Sequence, residues 1–229
     1  MNPIPHSVLA VAAHADDEVL GAGGTLAEHA HAGDRIHLLV LSASATSRPG
    51  TGQDDVRAHR ADCVTRAAAL YGASAEIADF PDNRFDTLPR LEITRTIEAA
   101  IARTAPQVVY THSASDLSLD HRITAEATAA ATRPQPGVSV STVLAWEVRS
   151  ATEWGTGVPF RPTWFQPLSE RAIAVKEQAL QVYASEMRPW PHTRSIRAVM
   201  EAARVRGAQI GFPAAEAFEV VRHTVTRPA

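Results

Sequence analysis

Short apolar runs alternate along the chain with stretches whose apolar positions recur every three or four residues. Residues 7–12 (SVLAVA), 35–41 (RIHLLVL), 107–111 (QVVYT) and 143–147 are runs of strand length, and 75–80 is a weaker one. Between them, 19–32, 55–71, 88–104 and 121–131 read as helices; Gly33 and Gly72 follow the first two, and Pro106 stops the third. Helices over 169–184 and 195–206, the latter ending at Gly207, and a short strand over 218–222 complete the pattern. Strands that are apolar on both faces, alternating with helices, predict an α/β fold with a mostly parallel sheet covered on both sides. Residues 148–168, with two tryptophans and several Pro and Gly, read as a long loop.

Composition narrows the class. The chain has 229 residues, 45% of them hydrophobic and 21% charged, which reads as one globular domain over 1–229. Its formal net charge of −3 leaves no basic excess for a phosphate backbone, so no nucleic-acid partner is expected. Lys176 is the only lysine, so arginine carries nearly all the positive charge and a given arginine says little about phosphate binding. The one cysteine, Cys63, excludes an internal disulfide and a Cys-rich zinc cluster. No apolar run approaches the ~20 residues that span a bilayer, and no basic stretch followed by an apolar one opens the chain. The expectation is a cytoplasmic protein with no membrane partner. The exposed Trp/Pro-rich segment is compatible with a homo-oligomer.

In open α/β sheets ligands bind outside the carboxyl ends of the strands, and two such ends are rich in ionisable groups. The first strand runs into His14-Ala-Asp16-Asp17-Glu18, and the fourth into His112, Asp116, Ser118, Asp120 and His121. His14 and Asp17, three apart, can share one face of a first helical turn, and His121 opens the next helix as a third ligand. Two histidines and a carboxylate leave a coordination position open, as in catalytic rather than structural zinc sites. The acids also suit helix capping, and His14 alone reads more readily as a satisfied polar residue than as a ligand; the joint pattern of the two clusters is what favours a metal site. Gly21, Gly23 and Gly24 make no dinucleotide fingerprint, because the acidic cluster stands where its first glycine belongs. A Mg²⁺ phosphohydrolase using Asp16 and Asp17 fits poorly, since hard cations prefer oxygen ligands.

Ala13–Glu18 resembles the AHPDDE signature of the PIG-L (LmbE-like) zinc-dependent N-deacetylase family, and Leu119-Asp120-His121 resembles its second metal motif. The resemblance runs nearly the full length, with 80–85, 147–154 and 188–194 similar to a bacterial branch. It implies a Rossmann-like three-layer sandwich, Zn²⁺ held by His14, Asp17 and His121, and Asp16 as the general base. It also implies removal of the acetyl group from a small-molecule N-acetylated sugar or its conjugate. Two positions depart from the family: Ala15 replaces a proline, and Ser118 replaces a histidine proposed to steady the oxyanion. Ser118 and His112 are therefore the candidate oxyanion donors, and Asp120 a candidate partner of a ligand. Candidate substrate contacts are Arg48, Asp82, Asn83, Glu147, Trp154, Arg188 and His192. The alternatives are a zinc amidase acting on a non-acetyl sugar amide and a catalytically weak sugar-binding protein.

Overall fold

The structure, a computed structural model, describes residues 6–44 and 52–225. Seven strands form one sheet: β1 (Ser7–His14), β2 (Arg35–Ser42), β3 (Ser74–Ile77), β4 (Val108–His112), β5 (Thr142–Trp146), β6 (Trp164–Pro167) and β7 (Ala215–His223). Their order is β3-β2-β1-β4-β5-β7-β6. The first five are parallel; β7 pairs antiparallel with both β5 and β6. The helices are α1 (Asp17–Ala32), α2 (Gln53–Leu70), α3 (Arg90–Thr104), α4 (Leu119–Ala131), α5 (Glu170–Val182) and α6 (Ile196–Ala208).

The period of two along a strand sorts the β1 side chains into the two cores of a three-layer fold. Val8, Ala10 and Ala12 join α1, α2, α5 and α6 on one face, whereas Leu9, Val11 and Ala13 join α3 and α4 on the other. Glycine lets α1 lie close to the sheet: a Cβ on Gly21 would stand 2.4 Å from the Trp146 ring, and one on Gly24 would stand 2.6 Å from Leu168. The Gly21–Gly24 stretch thus serves packing. No described helix is long and apolar enough to cross a membrane.

Strand order reverses between β1 and β4, so their carboxyl ends diverge and open a crevice there. His14 ends one of these strands and His112 the other.

The sequence reading misses a 3₁₀ turn at Phe85–Thr87 and structure in two further places. Residues 148–168 contain a 3₁₀ turn at Thr152–Trp154 and strand β6. β6 has four residues, ends in proline and lies at the sheet edge, so it shows no alternating pattern. β7 starts three residues earlier than the apolar run at Phe218 suggests, because Ala215 and Ala217 are buried against β6 and Glu216 is buried in an ion pair.

Candidate metal centre and active site

Strand β1 turns into α1 through Asp16, whose φ of 108° and ψ of −24° place a non-glycine residue in the left-handed region. The turn is pinned from several sides. Ala15 N–H donates to the Ser42 carbonyl at 3.2 Å, and Asp16 N–H to Glu18 Oε2 at 3.2 Å. Tyr183 Oη–H donates to Glu18 Oε1 at 2.6 Å. His14 N–H donates to Asp17 Oδ2 at 2.8 Å. From the other strand, Ser118 caps α4, accepting the His121 N–H at 3.4 Å, and this sets His121 in the first turn.

The structure brings three ligand atoms together: His14 Nδ1, Asp17 Oδ2 and His121 Nε2 stand 3.3 Å apart in every pairing. A tetrahedral ion with ligands about 2.0–2.1 Å away sets neighbouring ligand atoms about 3.3–3.4 Å apart. The triangle therefore fits one face of such a coordination shell. Each histidine is oriented from behind by a carboxylate. His14 Nε2 lies 2.9 Å from Asp120 Oδ2, and His121 Nδ1 lies 3.2 Å from Asp116 Oδ1. Asp120 is itself fixed by the Asn83 and Phe85 N–H groups, and Asp116 by the Ser118 N–H and Thr152 Oγ1. Carboxylate–histidine pairs of this kind fix the tautomer of a metal-binding imidazole. The second Asp17 oxygen, Oδ1, is buried without a hydrogen-bond partner. A carboxylate oxygen so placed and four acids packed around two imidazoles suit a divalent cation.

Protonation follows the same imbalance. Burial alone would lower the pKa of His14, but the Asp120 and Asp17 carboxylates outweigh it and raise it to about 10. His121 likewise rises to about 9, burial being overcome by Asp17 and Asp116. Burial works against the charged form of Asp17, yet the facing imidazoles hold its carboxyl well below the usual range. Asp16 differs: burial raises it to about 7 against the pull of the Arg194 guanidinium, whose Nη1 is 3.2 Å from Oδ2.

A cavity of about 270 Å³ opens on this cluster. His14, Asp16, Asp82, Asn83, Ser118 and His121, all singled out in the sequence, line it. Asp82 Oδ1 lies 3.3 Å from His14 Nε2, and Asn83 Nδ2 donates to the same oxygen at 2.9 Å. Asp120 is buried behind His14, so its place is that of a positioning residue.

His112 is a correction. Its ring is fully buried, with Ala13 N–H donating to Nε2 at 2.9 Å and Nδ1 3.3 Å from Trp146 Nε1. Burial and the charge of His121 lower its pKa to about 3. It is a neutral packing residue and offers no imidazolium to the cavity.

Four expected substrate contacts also lie elsewhere. Glu147 pairs with Arg206 at 2.7 Å and with Arg149 at 3.8 Å. Trp154 is 52% exposed on its 3₁₀ turn, away from the cavity lining. Arg188 and His192 are exposed, and the His192 ring instead accepts the Arg194 N–H at 3.0 Å. Arg48 lies outside the described residues.

Two cavity residues, Arg60 and Glu186, had no assigned role in the sequence reading, and Arg194, read there only as a substrate or subunit contact, has a different one. Arg194 holds Asp16 and donates from Nε to Ser150 Oγ at 2.9 Å. Arg60 and Glu186 form a two-pronged ion pair at 3.2 and 3.1 Å. They come from α2 and from the turn after α5, far apart in sequence, and only folding makes them neighbours.

A curated 4-oxalmesaconate hydratase of Pseudomonas putida is 32% identical over 134 residues, which cover 53% of this chain and 49% of that protein. The chain thus matches about half the length of that relative. Among solved structures, the 4-carboxy-2-hydroxymuconate hydratase GalB of P. putida KT2440 superposes with a TM-score of 0.79 at 24% identity, covering 98% of this chain and 99% of that one. The N,N'-diacetylchitobiose deacetylase of Pyrococcus horikoshii superposes with a TM-score of 0.75 at 18% identity, covering 94% and 83%. At such identities these two likenesses speak to the fold. The family model described as PIG-L, GlcNAc-PI de-N-acetylase, matches residues 9–132, which hold both halves of the triangle, so the chain belongs to that family.

Proposed function

We propose that this protein is a zinc-dependent hydrolase that removes the acetyl group from an N-acetylated amino sugar or a conjugate of one. A single observation carries the reading: the two histidines of a three-atom ligand triangle and a buried, strained aspartate line one polar cavity. His14, Asp17 and His121 would hold the zinc. When bound, zinc supplies Lewis acidity that lowers the pKa of water and polarises a carbonyl.

The protein's own residues do the rest. Asp16 accepts the proton of the attacking water at its carboxylate and returns it to the departing amine. Arg194 keeps the Asp16 side chain turned into the cavity. Ser118 Oγ accepts the His121 N–H, which leaves its own O–H to donate to the carbonyl oxygen as charge gathers there. Asp120 and Asp116 hold the two imidazoles in orientation throughout.

The P. putida relative favours a second reading, addition of water to an unsaturated polycarboxylate. The two chemistries leave different products. The assay is acetate release by zinc-loaded protein from free, nucleotide-linked and glycosidic N-acetylhexosamines, beside loss of conjugated absorbance from an unsaturated tricarboxylate. Chelator-sensitive acetate release supports the amide reading. Turnover of the tricarboxylate alone replaces it with hydration.

A further inference from the structure

One wall of the cavity takes no part in the chemistry above. Arg60 presents its guanidinium there and is nearly buried. Its Nε–H donates to Glu186 Oε1 at 3.2 Å and its Nη2–H to Oε2 at 3.1 Å. Its Nη1–H donates to the Ser44 carbonyl and lies 3.7 Å from Asp82 Oδ2. The fork is thus spent on protein acceptors, in the two-pronged geometry that makes such pairs strong. The cavity's other guanidinium, Arg194, donates to Asp16 and Ser150. On this wall two carboxylates, Asp82 and Glu186, face the one Arg60 guanidinium.

From this arrangement we infer that Glu186 is a specificity-determining residue: it cancels the charge of Arg60 and reserves that wall for an uncharged, hydroxyl-bearing part of the substrate. The inference rests on the amide-hydrolysis reading for the reaction and concerns what surrounds the reacting group. An anionic group placed against this wall would meet the Glu186 and Asp82 carboxylates, in a cavity where salt screens charge poorly. Engaging Arg60 would require breaking a buried bidentate pair and stranding Glu186. A hydroxyl carries no such penalty, because carboxylate oxygens accept its proton. Exclusion of the wrong charge is a source of selectivity in its own right. The same wall disfavours the polycarboxylate of the alternative chemistry.

The test uses zinc-loaded wild-type protein, the isosteric Glu186→Gln variant and the Arg60→Gln/Glu186→Gln double variant, each checked for fold by thermal melting. The first readout is calorimetric binding of inorganic sulfate, which needs no turnover. The expected result is no measurable sulfate binding to wild type, millimolar binding to Glu186→Gln, and loss of that binding in the double variant. The second readout is kcat/KM for an N-acetylhexosamine and its 6-phosphate. Glu186→Gln should raise the ratio of phosphorylated to neutral substrate by about 10-fold or more. Sulfate binding to wild type as tight as to Glu186→Gln overturns the inference, as does an unchanged substrate ratio. If no amide is hydrolysed but the sulfate pattern appears, the amide reading fails and the charge-exclusion role of Glu186 stands.

Discussion

Asp16 carries the greatest demand placed on any one residue of the site. A non-glycine residue in the left-handed region costs of order 1–3 kcal/mol and persists only where its surroundings hold it. Here Glu18 receives its N–H, Tyr183 fixes Glu18, and Arg194 grips the carboxylate. The arrangement directs the side chain of Asp16 into the cavity while Asp17, next in the chain, points to the metal triangle. Asp16→Asn keeps the shape but removes the proton acceptor. Turnover should fall by about 10²–10⁴-fold with zinc content unchanged, measured by elemental analysis beside acetate release. Asp120→Asn removes the carboxylate that orients His14 and should weaken zinc affinity by about 10–100-fold, read by competition with a chelating dye. The ligand candidates were legible in the sequence because each cluster is a short string at a strand end. Arg60 and Glu186 were not, because each is an ordinary charge in its own segment and gains its role only through contacts across the fold.

At the scale of elements, α1 is the piece that fixes the site, and a buried ion pair clamps it. Lys176 of α5 donates to the Val19 and Leu20 carbonyls at 3.1 Å each and pairs with Glu216 of β7. Glu216 in turn accepts the Gly24 and Thr25 N–H groups at 2.9 and 2.7 Å. The only lysine of the chain thus ties three elements together, which no local pattern announces. Lys176→Met strands the Glu216 charge in the interior and should cost about 3–5 kcal/mol, measured by urea unfolding. Gly21→Ala drives a methyl into the Trp146 ring and should cost about 1–3 kcal/mol in the same assay. The parallel core strands and most helices were readable because apolar runs and helical periodicity are strong signals there. β6 was not, since its pairing with β7 comes from tertiary contact rather than from a pattern of its own.

For the molecule as a whole, the fold gathers negative charge at the switch point of the sheet and leaves a cation to balance it. Without metal, His14 and His121 are held protonated by their carboxylates, with pKa values raised to about 10 and about 9. Metal uptake near pH 7 must therefore expel these protons, and apparent zinc affinity should fall as pH falls. Calorimetry in buffers of different ionisation enthalpy should record release of about two protons per zinc.

The central claim is that one zinc ion on the His14–Asp17–His121 triangle is what amide hydrolysis requires. The most direct test titrates metal-free protein with zinc while following acetate release from an N-acetylhexosamine. The account predicts activity rising from the background and breaking at one zinc per chain, with His121→Ala showing neither the break nor the activity. Full-rate acetate release from metal-free protein, or an undiminished break in His121→Ala, would contradict it.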